Sequence, residues 1–197
     1  MELSRYDPIW RAALPYLRAR KNDVHVPISF NYAVQLCTAH PEAHPDRVLP
    51  AIILHDTGWA VIDERAIFEQ GFGPNMMESD VRYLHEREGV RIAREILQDL
   101  GYASELVAQI TALIDGHDTR PAARSLEDEL LKDADKLWRF TTAGIAVACD
   151  WFKLTPGQYA TRLEREIQGQ LFRPWSRRAA AAELAASRLA LHCDLLP

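Results

Sequence analysis

Four apolar residues, Ala51-Ile52-Ile53-Leu54, run directly into His55-Asp56, and this junction constrains the fold more than any other stretch of the chain. An imidazole and a carboxylate at the end of a buried helix are costly to desolvate unless something compensates them. The fold must therefore bring partners to them. Suitable residues stand in or beside other apolar-periodic segments: His25 upstream, then His85, His117 and Asp135 downstream. A divalent metal would compensate all six, since neutral imidazole suits Zn, Cu, Fe and Ni while carboxylate suits Mg, Ca and Mn. We read His25, His55, Asp56, His85, His117 and Asp135 as a metal cage gathered from several helices. Taken singly, some have plainer readings: a cap for His25, a satisfied core histidine for His85, a cation at a helix end for His117.

The segments around these residues read as helix after helix, with little period-2 alternation. Asp7-Pro8 opens a first helix with apolar positions to Leu17. The second runs from about Asp23 to Cys37 and stops before His40-Pro41. The third covers Arg47 to about His55 and ends at Thr57-Gly58, where glycine is expected in a left-handed cap. The stretch from Trp59 to Asp80 reads as irregular, a pocket rim or a surface connection, with Gly71, Gly73, Pro74 and two methionines. An amphipathic helix from Ser79 or Asp80 to Leu100 is closed by Gly101, and another spans Ala103 to Asp115. Ser125 with Asp128 marks the next helix start, and the apolar run Trp138 to Trp151 reads as its buried continuation. Thr155-Pro156 and Arg173-Pro174 start the last two helices. The expected fold is an all-α helical bundle in one domain over residues 1–197, its core about 23–150, with helices 155–194 packed on it.

The 197 residues, 48% hydrophobic, suffice for one substantial core. A net charge of −5 argues against a general nucleic-acid binder, though not against a small anionic substrate drawn to a local metal and a few cations. Cys37, Cys149 and Cys193 are odd in number and sit in apolar contexts, so they read as thiols in a reducing compartment. The N-terminus MELSRYDPIW has no apolar signal region, and no apolar run approaches a membrane span, which gives a cytoplasmic expectation without a membrane partner. The alanine-rich last helix can pack on its own domain or on a second copy, so a homodimer stays open.

The order His25, His55-Asp56, Asp135 resembles the H…HD…D signature of the HD-domain superfamily of metal-dependent phosphohydrolases. The phrases that carry the resemblance are Pro50-Ala51-Ile52-Ile53-Leu54-His55-Asp56-Thr57-Gly58, His85 to Ala93, and Lys132-Asp133-Ala134-Asp135-Lys136-Leu137. It implies a helical bundle in which His25, His55, Asp56 and Asp135 hold a first ion. His85 and His117 would complete a second site, with Asp56 bridging, or meet the substrate phosphate. It also implies a divalent cofactor of one or two ions, drawn from Mn, Fe, Co, Mg, Ni or Zn. Trp59 stands where many members have a lysine. The chain also lacks the glycine-tyrosine-proline extension of the cyclic-dinucleotide branch and the Glu-Asp pair of the alarmone hydrolases. It is most similar to small stand-alone members.

The resulting expectation is an enzyme hydrolysing a phosphate ester or anhydride of a nucleotide or small phosphorylated metabolite, with Asp56, His85 and His117 at the chemistry. Lys136 and Arg120 are the expected phosphate contacts, although Arg120 equally suits a loop salt bridge. Lys21, Arg87, Arg91 and Lys132 are further cations. Asp63, Glu64 and Asp118 are weak candidates for a proton donor. Two other functions share these residues: a diiron oxygenase of the same fold, and a nucleotide-sensing binding module.

Overall fold

The computed structural model describes residues 2–70 and 80–195 and is all-α, with ten α-helices and no strand among them. Helix α1 (Asp7–Ala13) is shorter than its apolar pattern, because Pro15 offers no backbone donor and turns the chain into a 3-10 segment at Leu14–Tyr16. Helix α2 (Asn22–Ala39) starts after Arg20 and Lys21, whose φ angles are 50° and 59°. Helix α3 (Pro45–Leu54) delivers His55 as its C-cap.

Gly58 does not take a left-handed cap; it lies in a 3-10 turn, Thr57–Val61, outside the positive-φ region. Space is the reason for glycine there. A Cβ would stand 1.9 Å from the carbonyl oxygen of His85 and 2.5 Å from the amide of Gly89. The stretch after it is not wholly irregular either. Asp63 caps α4 (Glu64–Gln70), its carboxylate accepting from the amide of Ala66 at 3.1 Å. The rim reading of Gly71, Gly73, Pro74, Met76 and Met77 falls outside the described residues.

Helix α5 (Asp80–Asp99) is followed by Gly101 at φ 77°, as its periodicity predicts. Helices α6 (Ser104–Ile114) and α7 (Leu126–Leu137) follow, the latter capped by Ser125, whose hydroxyl accepts from the amide of Asp128 at 3.2 Å. The run from Trp138 to Trp151 is not one helix. It breaks into a 3-10 turn, Trp138–Phe140, and α8 (Thr142–Phe152), because Thr141 caps the new helix through the amide of Gly144 at 3.1 Å. Thr155 and Gln158 form a capping box for α9 (Pro156–Arg162), and α10 (Pro174–Ala190) ends the bundle.

Helix α3 packs among α2, α6 and α7, while α5 lies on α6 and on the Thr57–Val61 turn, α10 lies on α7, and α8 packs on the Trp138–Phe140 turn, α9 and α10. Leu36, Leu49, Ile52, Ile53, Ile92, Leu97, Leu130 and Leu131 are fully enclosed. Each such side chain contributes about 1.5–3 kcal/mol on leaving water. Asp133 of α7 ties the last helices to this core, its carboxylate accepting from the amides of Phe172 and Arg173 at 2.8 and 2.9 Å. The three cysteines are free thiols, Cys37 and Cys193 buried and Cys149 partly so. No helix among the described residues is long and apolar enough to cross a membrane.

This packing gathers the early turns of α2 and α5 and the ends of α3, α6 and α7. Those are the places that carry His25, His85, His55-Asp56, His117 and Asp135.

Candidate metal centre

The six residues converge in one buried cluster. His25 Nε2 lies 2.9 Å from Asp135 Oδ1, and His25 Nδ1 lies 3.3 Å from Asp56 Oδ2. His55 Nε2 is 3.3 Å from Asp135 Oδ1 and 3.8 Å from Asp56 Oδ1. His85 and His117 approach the same Asp56 Oδ1 at 3.7 and 3.5 Å. Asp56 thus turns one oxygen to His25 and the other to three further histidines. Two overlapping triads, His25-His55-Asp135 and His55-Asp56-His117, each hold their donor atoms within 4.8 Å of one another.

Backbone carbonyls orient the rings. His55 Nδ1 lies 2.8 Å from the carbonyl of Ile52, and His117 Nδ1 lies 2.8 Å from that of Ile114. A carbonyl can only accept, so Nδ1 carries the proton and the Nε2 lone pair of the neutral ring points inward, as a metal ligand requires. His55 Nε2 is buried and makes no hydrogen bond. His85 and His117 face each other Nε2 to Nε2 at 3.5 Å, which two lone pairs tolerate only with a cation or a proton between them. Donor chemistry and orphaned lone pair both fit a divalent ion.

The electrostatics agree. Burial opposes the charge on Asp56 and Asp135, yet the surrounding histidines hold both carboxyls well below the usual range. Burial likewise opposes protonation of His117, but its hydrogen bond to Asp56 and the nearby aspartates raise it to about 9. His25 is raised by Asp135 and Asp56 against the same opposition. Burial, then His117, pushes His85 down to about 3. The cluster is a pair of buried carboxylates that demands positive charge.

A family model of the HD domain matches residues 25–139, more than half of the chain. The chain belongs to the HD-domain family. No match was found among curated proteins or among solved structures. All six cage residues lie inside the matched HD domain, which begins at His25 itself.

His25, Asp56, His117 and Asp135 of the cage line a cavity of about 600 Å³, with His55 and His85 behind them. Two tryptophans brace the HD-domain histidines: Trp59 stacks on His85 at 4.1 Å and donates its indole N–H to Asp56 Oδ1 at 3.1 Å, and Trp138 stacks on His25 at 4.6 Å. Lys136, partly exposed, lines the cavity. Arg120 lines it too, but its guanidinium donates to the carbonyls of Asp115 and Ala122 at 2.6 and 3.2 Å and to Asp128 at 2.7 Å, so it braces its own loop. Lys132 lies behind the cage. Its ammonium is buried and donates to the carbonyls of Gly116, His117 and Arg120 at 2.6 to 2.8 Å, and burial pulls its pKa down to about 8. Arg91 is an exposed partner of Glu88 and Glu95. Asp118 faces the cavity, where Arg82 at 2.9 Å overcomes the effect of burial and keeps it ionised; Asp63 and Glu64 are exposed.

Four site residues carry too little sequence signal to be singled out beforehand. Glu86 accepts from the amides of Asp118 and Thr119 at 2.8 Å and so fixes the loop after His117. Asn22 donates to the carbonyl of Asp56 at 3.2 Å. Arg20 lies over the ring of Trp59 at 4.0 Å, carried there by the left-handed Arg20-Lys21 pair. Arg139 lines the cavity one helical turn after Asp135, and that spacing was the available clue.

Proposed function

We propose that this HD-domain chain is a metal-dependent phosphohydrolase, cleaving a phosphate ester or anhydride of a nucleotide or other small phosphorylated molecule. One observation carries the reading: His25, Asp56, His117 and Asp135 of the six-residue cluster line a cavity that Arg20, Arg139 and Lys136 also line. A cation held on these carboxylates, beneath cationic walls, would suit a phosphate that bridges the two.

A divalent ion held by His25, His55, Asp56, His85, His117 and Asp135 would polarise a phosphoryl oxygen and acidify a water molecule. Asp56, whose two oxygens face different histidines, would be among the residues that hold the ion. The indole N–H of Trp59 fixes the Asp56 carboxylate, and the carbonyls of Ile52 and Ile114 hold two imidazoles in their donating tautomer. His85, with its lowered pKa, stays neutral and offers a lone pair. Arg20, Arg139 and Lys136 orient the phosphate and balance its equatorial charge. Asp118, kept ionised by Arg82, accepts hydrogen bonds and does not serve as an acid.

Elemental analysis of the purified chain, combined with a phosphate-release screen over nucleotides and small phosphate esters, tests the reading. One or two transition-metal ions per chain, with release abolished by chelation and restored by metal, is the expected result. Two irons per chain without release would replace it with the oxygenase. No metal under any loading condition would leave a nucleotide-sensing module.

A further inference from the structure

The wall of the cavity changes character away from the cage. Its cations act at the inner end: Arg20 and Arg139 both feel the charges of Asp56, Asp118 and Asp135, and Lys136 adjoins Asp135. Several rings line the part farther from the cage, together with Arg162, Ile167 and Gln170. Trp138, buried against His25, meets Trp151 edge-on at 6.0 Å. Phe152 lies nearly parallel to Tyr159 at 6.0 Å, and Phe172 adds a further ring to the lining. Trp151 and Phe152 are partly exposed whereas Trp138 is enclosed, so the series of rings leads from the cage toward the opening. Arginines brace this wall from one side, with Arg20 over Trp151 at 5.2 Å and Arg162 over Phe152 at 4.8 Å. Trp151, Phe152, Tyr159 and Phe172 all lie beyond residue 139, where the HD-domain match ends.

We infer that this C-terminal wall selects organic phosphates built on a planar ring, with the phosphate on the cage and the ring against Trp151 and Phe152. The orientation rests on the phosphohydrolase reading. A cavity of about 600 Å³ suits one small organic molecule. Rings held rigid by packing offer stacking surface at little entropic cost. Stacking on an aromatic side chain typically raises affinity about 5- to 100-fold. Guanidinium groups alternating with rings favour a π-system over an aliphatic chain of the same size.

Benzyl phosphate and cyclohexylmethyl phosphate separate these cases, being alike in size and leaving group but planar in one and puckered in the other. Their phosphonate counterparts, titrated calorimetrically into the metal-loaded protein, report binding without turnover. Benzylphosphonate should bind at least about fivefold more tightly. Trp151→Leu should bring the ratio toward one, and Trp151→Phe should restore part of it. Should Trp151→Leu fail to fold, the ratio in the unaltered protein and in Phe152→Leu decides. Equal binding, or tighter binding of the cyclohexyl compound, overturns the inference, since simple apolar burial favours the more hydrophobic ring. Ring preference without phosphate release would remove the phosphohydrolase reading alone. Release without ring preference would remove this inference alone.

Discussion

Gly58→Ala is the sharpest test of how the cage is assembled. The added Cβ would meet His85 O at 1.9 Å, Gly89 N at 2.5 Å and His85 C at 2.9 Å. All three are backbone atoms of α5, so no side-chain rotation relieves the clash. Reaching even 3.0 Å requires the Thr57–Val61 turn and α5 to separate by about 1.1 Å. That movement carries His85 away from Asp56 and His117, which its Nε2 now approaches at 3.7 and 3.5 Å. Overpacking costs about 1–3 kcal/mol, and an unyielding backbone contact belongs at the top of that range. In a chain of this length about 3 kcal/mol lowers Tm by roughly 6–12 °C. Metal sites tolerate ligand displacements of only about 0.2 Å, so affinity should fall at least about tenfold. Thermal melts and competition with a chromophoric chelator measure both effects. Gly101→Ala is the control: its φ of 77° costs about 1 kcal/mol, but nothing stands within 4 Å, and metal affinity should hold. A Gly58→Ala protein with unchanged Tm and metal affinity would refute the argument that this close approach positions His85.

Lys132→Met leaves three buried carbonyls without their ammonium, each unmet acceptor costing about 1–3 kcal/mol. Urea unfolding should show a loss of about 3–5 kcal/mol, with weaker metal retention because the His117 loop loosens; an unchanged midpoint would contradict this. Asp133→Ala frees the amides of Phe172 and Arg173, so hydrogen exchange there should accelerate at least tenfold while the amides of α2 and α3 keep their protection. Asp56→Ala removes the one carboxylate that faces four histidines. Elemental analysis should find less than half the metal of the unaltered chain and activity should vanish, with the helical circular dichroism preserved; full activity would sink the cage.

His55-Asp56, His85 and Asp135 were legible because each puts an ionisable group where periodicity demands an apolar one, while His25 and His117 were legible as members of the same set. That conflict is visible without coordinates. Helix limits were legible where a residue has a single local job, as with Ser125, Gly101 and the Thr155-Pro156 start. They were not legible where a residue serves two purposes. Gly58 at a helix end looks the same whether it supplies a positive φ or an absent Cβ. Thr141 inside an apolar run looks like a core threonine until the amide of Gly144 arrives to be capped. Arg20 reaches the site through two consecutive left-handed residues that are not glycine, a conformation no local preference encodes.

Cage and wall differ in the same way. A buried aspartate among histidines announces its need for positive charge, and all six residues of the cluster fall within the HD-domain match at residues 25–139. Trp138, Trp151, Phe152 and Tyr159 announce nothing, since an aromatic ring in an apolar helix satisfies the pattern as core. The role inferred for them rests on which rings remain partly exposed in the cavity wall, and that depends on how α8 packs on α9 and on the Trp138–Phe140 turn. On the proposed reading, the reaction class is written in residues that violate the folding pattern, while substrate choice rests with residues that obey it. Substitutions in the wall should accordingly alter specificity at small cost in stability, whereas substitutions in the cage should remove more than half of the bound metal.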